Sequence, residues 1–359
     1  MLGGPSSRPG RDEETRSPAY APPMAPPTAP PTTPPATLGA AGHPDLDLDP
    51  PRRPRLMGIL NATPDSFSDG GRFADPPSAA AHAVAMARSG AAIIDVGGES
   101  TRPGAVAVAA DEQTRRVAPV IRAVRSALDA AGYSHVWISV DTRLAAVAAA
   151  GLDAGAAMIN DVSAGRHDPA MLALAAERGC AVCLMHMLGE PGTMQNDPRY
   201  GDVVAEVRAF LLERAAAAEA AGVEPGRLMI DPGIGFGKTL EHNLSLLASI
   251  GELVDTGYPV LIGASRKRFI AALDPGASGG GESGGGGEPD ADHREAGTVA
   301  VTLRSAAGGA SVVRVHDVAS SAQALAVDAA IARAKRAGLA GARGVEAGPG
   351  GPSRFASGD

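Results

Sequence analysis

Eight times between residues 55 and 337 the chain repeats one event. A short apolar run is followed by a longer Ala-, Arg- and Glu-rich segment at helical spacing, and this alternation limits the fold more than any other feature. The runs are 55–60, 91–96, 136–141, 156–160, 180–185, 227–231, 259–263 and 311–315. The helical segments are 78–89, 112–131, 143–153, 169–178, 202–221, 240–255, 294–307 and 320–336. Gly90, Gly132, Gly155, Gly179, Gly222 and Gly257 lie near helix ends, where a C-cap favours glycine. Near-continuous apolar strands imply a parallel sheet covered on both faces. Eight such units close into an α/β, (β/α)8 TIM barrel. A doubly wound open sheet is the alternative, but it usually has fewer strands and leaves the polar strand endings described below unexplained.

Other stretches break the pattern. Residues 1–54 hold half of the thirty prolines, mixed with Ala, Thr and Ser. They read as a disordered Pro/Ala-rich N-terminal extension whose burial would not offset its ordering entropy. Residues 276–292, GASGGGESGGGGEPDAD, read as a flexible Gly-rich insertion after the seventh strand. The chain loosens again over 338–359. The expected organisation is therefore one catalytic barrel over 55–337 between two tails.

Apolar residues make up 44% of the chain but aromatic ones only 3%, so the core must be built from Ala, Val, Leu and Ile. A net charge of -8 argues against nucleic acid as the partner. No segment approaches the ~20 apolar residues of a membrane span, and the N-terminus lacks the apolar stretch of a signal peptide. Cys180 and Cys183 form a C-x-x-C, yet residues three apart on a strand point to opposite faces. No second pair exists to complete a metal site. The reading is two inert thiols in a reducing, cytoplasmic compartment.

The polar residues cluster at the C-terminal ends of the strands, where barrels of this kind keep their active sites. The first run, Met57 to Leu60, stops at Asn61 and opens into a polar loop with Phe67 and Asp69. The others lead to Asp95 and the GGESTRPG loop, Asp141, Asn160, His186, Asp231, the Ser265-Arg266-Lys267 run, and Arg314 with His316. The middle strands are acidic and suit a flat heterocycle rich in N–H groups. The last two are basic and suit phosphates. Arg314 and His316, two apart, share a face. Closure places the eighth strand beside the first, which brings Asn61 to the same end, where its amide oxygen suits Mg2+ held against a phosphate.

These stretches together resemble one family. GILNATPDSFSDGG, IIDVGGESTRPGA, WISVDT, MIND, CLMHM, DPGIGFGKTLEHN, GASRKRF and VVRVHDV, in order over about 55–336, resemble bacterial dihydropteroate synthase, a pterin-binding TIM barrel. The resemblance implies condensation of 6-hydroxymethyl-7,8-dihydropterin diphosphate with 4-aminobenzoate to 7,8-dihydropteroate and diphosphate. This is a step of tetrahydrofolate synthesis and a sulfonamide target. The mechanism implied is SN1-like, without a covalent enzyme intermediate. It further implies that Asp141, Asn160, Asp231 and Lys267 hold the pterin. Asn61, Arg314 and His316 hold the diphosphate, Asn61 also through Mg2+. Thr101, Arg102, Pro103, Phe67, Asp69, Phe236, Ser265 and Arg266 belong to the aminobenzoate side and its loops, and Lys267 helps to frame that substrate as well. Asp141, Asp231, Lys267, Arg314 and His316 are the candidate catalytic set. Small-molecule substrates, no nucleic acid, no membrane and a homodimer through helices away from the mouth complete the expectation. A folate-binding methyltransferase barrel would share the acidic ligands but not the basic pair. A non-catalytic paralogue should have lost Lys267, Arg314 or the first loop.

Blander readings apply elsewhere. In GIGFGKT only three residues separate Gly233 from Gly237-Lys238, one short of a phosphate-binding P-loop. His186 reads as a pocket-lining or structural residue. His82, His167 and His242 read as surface residues, and Arg166, Arg178, Arg208 and Arg214 as solvated helix faces. Asp95 fits equally a ring-facing ligand or an anchor for the second loop. Arg304 occupies a helix position expected to be apolar.

Overall fold

Alternate residues of each apolar run face opposite ways, and the computed structural model shows what each face meets. It describes residues 37–48, 53–62, 75–99, 108–190, 192–273 and 294–343. Strands β3 (Arg55–Asn61), β4 (Ala91–Gly97), β5 (Trp137–Asp141), β6 (Met158–Asp161), β7 (Ala181–Met185), β8 (Leu228–Asp231), β9 (Leu261–Gly263) and β10 (Val312–Val315) form one parallel sheet in chain order, with β10 beside β3. A bridge from Ile230 to Val260 joins β8 to β9 and nearly completes the ring. The eight expected runs are these strands, displaced by a residue or two, and the (β/α)8 barrel is the fold.

The helices lie outside: α1 (Pro76–Arg88), α2 (Ala110–Ala130), α3 (Ala145–Asp153), α4 (Met171–Arg178), α5 (Val203–Ala220), α6 (Leu240–Ala248), α7 (Ile250–Val254), α8 (Arg268–Ala272), α9 (Glu295–Ala307) and α10 (Val318–Arg343). The segment 240–255, read as one helix, is two. Ser249 ends α6 and starts α7. The last helix runs to Arg343, beyond the expected start of a loose tail at 338. Leu56, Ile94, Ile138, Val182 and Cys180 pack outward against the helices. Met57, Ile93, Trp137, Met158, Cys183 and Met229 fill the barrel interior. The two cysteines thus part to opposite sides, both buried and free, and burial pushes the Cys180 thiol up to about 11.

The extension before the barrel is not structureless throughout. β1 (Thr37–Leu38) and β2 (Leu46–Asp47) form an antiparallel hairpin that closes the barrel end opposite the mouth. Leu38, Ala40 and Leu46 join the interior cluster of Met57 and Trp137. The Trp137 indole N–H donates to the Pro44 carbonyl at 2.9 Å. Gly39 and Ala41 donate backbone N–H bonds to Gly226 and Gly179, and Arg55 pairs with Asp47 at 2.6 Å. The reason is the barrel's open end: apolar side chains there would otherwise face water, and three apolar residues cover them. The expected disorder of 1–36 and 344–359, the 276–292 insertion, Phe67, Asp69, Thr101, Arg102 and Pro103 lie outside the described residues.

Candidate active site

The strand register brings the predicted polar residues into one mouth. Asp141 pairs with Asn160 across β5 and β6, Met185 with Asp231 across β7 and β8, and Arg314 lies between Gly263 and Met57. Asp95, two residues inside β4, is fully buried. It accepts from Asn160 Nδ2 at 3.1 Å and from Arg314 Nε at 2.7 Å. Arg314 Nη2 donates to Asp141 Oδ2 at 2.9 Å. The four side chains form one continuous network across the barrel.

This geometry links the expected acidic ring-binding half to the expected basic phosphate-binding half. Arg314 crosses between them. Two carboxylates facing each other in a buried mouth need a cation, and β10 lies near enough for Arg314 to supply it. Burial pushes Asp141 above the ordinary carboxylate range, its neighbour Asp95 pushes it further, and Arg314 pulls it back. Asp95 bonds two residues of the mouth, Asn160 and Arg314. The root of the second loop is held by Glu99 instead, which accepts from the Val108 N–H at 2.8 Å and faces Arg143 at 3.7 Å.

Across the mouth, Asp231 Oδ1 accepts from the Gly233 N–H at 2.7 Å. Burial raises the Asp231 pKa and the Lys267 ammonium opposes that rise. Lys267 bonds the Ile234 carbonyl and stands 4.4 Å from the Phe236 ring centroid. Burial pulls Lys267 down to about 7, with Asp231 working against it. Gly233 has φ +66°, and a Cβ there would collide with the His186 carbonyl. The turn therefore needs glycine for both conformation and space.

Several placements add to the expectations or differ from them. Ser265, assigned to the aminobenzoate side, has its hydroxyl 2.9 Å from His316 Nδ1 and accepts from the His316 N–H at 3.2 Å. Arg266 adopts φ +57°, which turns its side chain toward α9. There Nε lies 3.4 Å from Glu295, a counter-charge from outside the mouth. Arg166, read as a solvated helix face, follows β6 in a loop, bonds the Met187 carbonyl at 3.0 Å and covers the Phe210 ring. Arg214 also donates to a backbone carbonyl, that of Ala164. Arg304 is exposed, so its position is not an apolar one. His242 closes a capping box with Thr239. Asn61 ends β3, half-buried, on the strand adjoining β10.

In the sequence Lys238 stands out only as the lysine of a P-loop-like run. It is 3% exposed. Its Nζ lies 2.9 Å from His186 Nδ1 and 3.0 Å from the Phe236 carbonyl. Burial, then the Lys238 charge, brings His186 down to about 3. The available signal was a lysine between a glycine and a helix-capping threonine, too close to the strand end to reach solvent easily.

The mouth can therefore accept donors from a flat ring at Asp141, Asp231 and Asn160, and offer it cations at Lys267 and Arg314. Comparison with known proteins agrees with that chemistry. The model of the pterin-binding enzyme family matches residues 57–316. A dihydropteroate synthase of Mycobacterium leprae is 49% identical over 274 residues, 76% of this chain and 92% of that protein. A structure of Xanthomonas albilineans dihydropteroate synthase with 4-aminobenzoic acid superposes with TM-score 0.70 at 46% identity, covering 82% of this chain and 98% of that one. A second from that organism, in complex with 7,8-dihydropteroate, gives TM-score 0.66 at 41% identity with the same coverage.

Proposed function

The chain belongs to the pterin-binding enzyme family and acts as a dihydropteroate synthase, and from that premise we propose how its residues divide the reaction. The substrates are 6-hydroxymethyl-7,8-dihydropterin diphosphate and 4-aminobenzoate. The observation that carries the assignment is the Asn160–Asp95–Arg314–Asp141 network, with Asp231 and Lys267 in the same mouth. Asp141, Asn160 and Asp231 accept or exchange hydrogen bonds with the ring N–H groups, and Lys267 donates to the ring. Asp95 holds Asn160 and Arg314 in place.

The carbon–oxygen bond at the pterin methylene breaks, and its electron pair leaves with diphosphate. Positive charge then spreads into the ring, and the buried carboxylates of Asp141 and Asp231 attract it more strongly than they did the neutral ground state. Removing one such preorganised group costs about 3 kcal/mol of transition-state stabilisation. His316, with Ser265 at its Nδ1, and Arg314 receive the leaving group. The aromatic amine attacks the methylene carbon as a neutral nucleophile and then loses a proton, so no Ser–His or Cys–His pair is required.

Mg2+ fits this site in one way. Among the described residues no three His, Cys, Asp or Glu side chains cluster to hold a metal. Mg2+ keeps most of its waters and takes one or two protein oxygens alongside substrate phosphates, so the Asn61 amide oxygen is a sufficient protein ligand. Bound there with diphosphate, the ion would neutralise leaving-group charge.

We also infer a homodimer. An apolar groove of ≈ 580 Å³ lies on the outside, between α6, α8 and α9, with Leu244 and Leu273 exposed along it. Its apolar lining suits a second copy. Sedimentation should give twice the chain mass. A cytoplasmic setting accords with the two free, buried thiols. The direct test is synthesis: purified protein with Mg2+ and both substrates should release diphosphate and form dihydropteroate. Absence of turnover between pH 6 and 9 overturns the residue assignment and the activity together.

A further inference from the structure

The turn from Gly233 to Gly237 holds Phe236, and its three glycines have φ of +66°, +83° and +62°. Such a turn has no hydrogen-bond ladder, so its carbonyls need donors from elsewhere. Four successive carbonyls each take a side chain. Ile234 takes Lys267, Gly235 takes Gln195 at 2.6 Å, Phe236 takes Lys238 at 3.0 Å, and Gly237 takes Tyr200 at 2.8 Å. Gly235 N–H donates in turn to Asn243 Oδ1. Lys238 is a costly donor, which burial pulls down to about 7 with the Asp231 carboxylate working against it. It is 3% exposed, and its hydrogen-bond partners are a carbonyl and the His186 ring. Burying an ammonium against neutral acceptors costs several kcal/mol, which a replaceable strut would not justify.

We propose that Lys238 is a positioning residue for the aminobenzoate pocket. It ties the Phe236 carbonyl to His186 Nδ1 and so sets the Phe236 ring against Lys267. The proposal rests on the synthase reading, in which Phe236 and Lys267 frame that substrate. His186 suits the role, because its ring is held edge-on to Phe210 at 4.8 Å and tilted to Tyr200 at 6.0 Å. Its low proton affinity keeps it neutral and leaves Nδ1 able to accept. No carboxylate oxygen is within hydrogen-bond distance of Lys238 Nζ in the described network, so it is not one half of a simple structural ion pair.

The test is steady-state kinetics of Lys238→Met with each substrate varied. The KM for 4-aminobenzoate should rise at least fivefold, while kcat and the KM for the pterin diphosphate stay within twofold. His186→Phe keeps the aromatic packing but removes the acceptor. It should raise the same KM at least threefold, and it decides the matter if Lys238→Met does not fold. The double variant should be no worse than Lys238→Met, since the two side chains act as one unit. Equal rises in both KM values, a fall in kcat alone, or no change would overturn the proposal. Wild-type protein that forms no dihydropteroate would instead overturn the synthase reading, and this one with it.

Discussion

Arg314→Met removes the cation from between two buried carboxylates. Arg314 is 22% exposed, Asp95 fully buried and Asp141 13% exposed, so solvent cannot replace the lost charge. Breaking a buried pair on one side typically costs about 3–5 kcal/mol. Protonation limits that cost. Neutralising a carboxylate of ordinary pKa at pH 7 takes about 4 kcal/mol, from ~1.4 kcal/mol for each of about three pH units. Asp141, already pushed upward, needs less, and the expected loss at pH 7 is about 4 kcal/mol, within the range for a broken buried pair. For a barrel of this size that lowers the melting temperature by about 8–16 °C, at ~2–4 °C per kcal/mol. The sign of the pH dependence follows. In the variant Asp141 loses the Arg314 charge that pulled it back, so its folded pKa stands further above its unfolded one, and the penalty is present at neutral pH and relieved as pH falls. As pH falls to 5 the raised Asp141 carboxyl becomes protonated in the folded variant, and the deficit should shrink. Thermal melts of wild type and variant at both pH values decide it. A drop under about 2 °C at pH 7, or the same drop at pH 5, would refute the reasoning.

Three further outcomes follow from the same geometry. Asp231→Asn should weaken binding of an uncharged pterin by about tenfold or more, because one ring acceptor becomes an amide; calorimetric affinity equal to wild type would contradict its role. Lys267, held near 7 by burial, loses its charge in the free enzyme as pH rises. The kcat/KM for the pterin diphosphate should therefore fall about tenfold per unit above pH 8, and a flat profile from 7 to 9 would remove Lys267 from ring binding. Leu38→Ala should cost about 2–3 kcal/mol, no more than undocking the hairpin allows. The chain's single tryptophan, Trp137, should then red-shift in fluorescence, whereas unchanged emission would show that the hairpin does not cover it.

What was legible in the chain was what repeats. Alternation of apolar runs and helical segments revealed eight strands, and a polar residue after each run located the mouth. Asp141, Asn160, Asp231, Lys267 and Arg314 could be named because strand ends are set by local pattern. What was not legible depended on partners distant in sequence. The segment 37–48 reads as a tail because Leu38, Ala40 and Leu46, set among Gly, Pro and Asp, bury nothing by themselves; they matter only where Trp137 and Met57 leave a barrel end open. Arg266 reads as part of a basic run, and a left-handed backbone with Glu295 nearby turns it away. Arg314 reads as a phosphate ligand by its charge, yet the charges it meets are Asp95 and Asp141. That last case changes the chemistry inferred. An arginine already bonded to two ring-facing carboxylates cannot serve the leaving group independently of the ring. Arg314 therefore couples the two ends of the pocket, so replacing it should weaken an uncharged pterin as well as the diphosphate, through the freed Asp141. Undiminished affinity of the Arg314 variant for bare pterin would return the site to two independent halves.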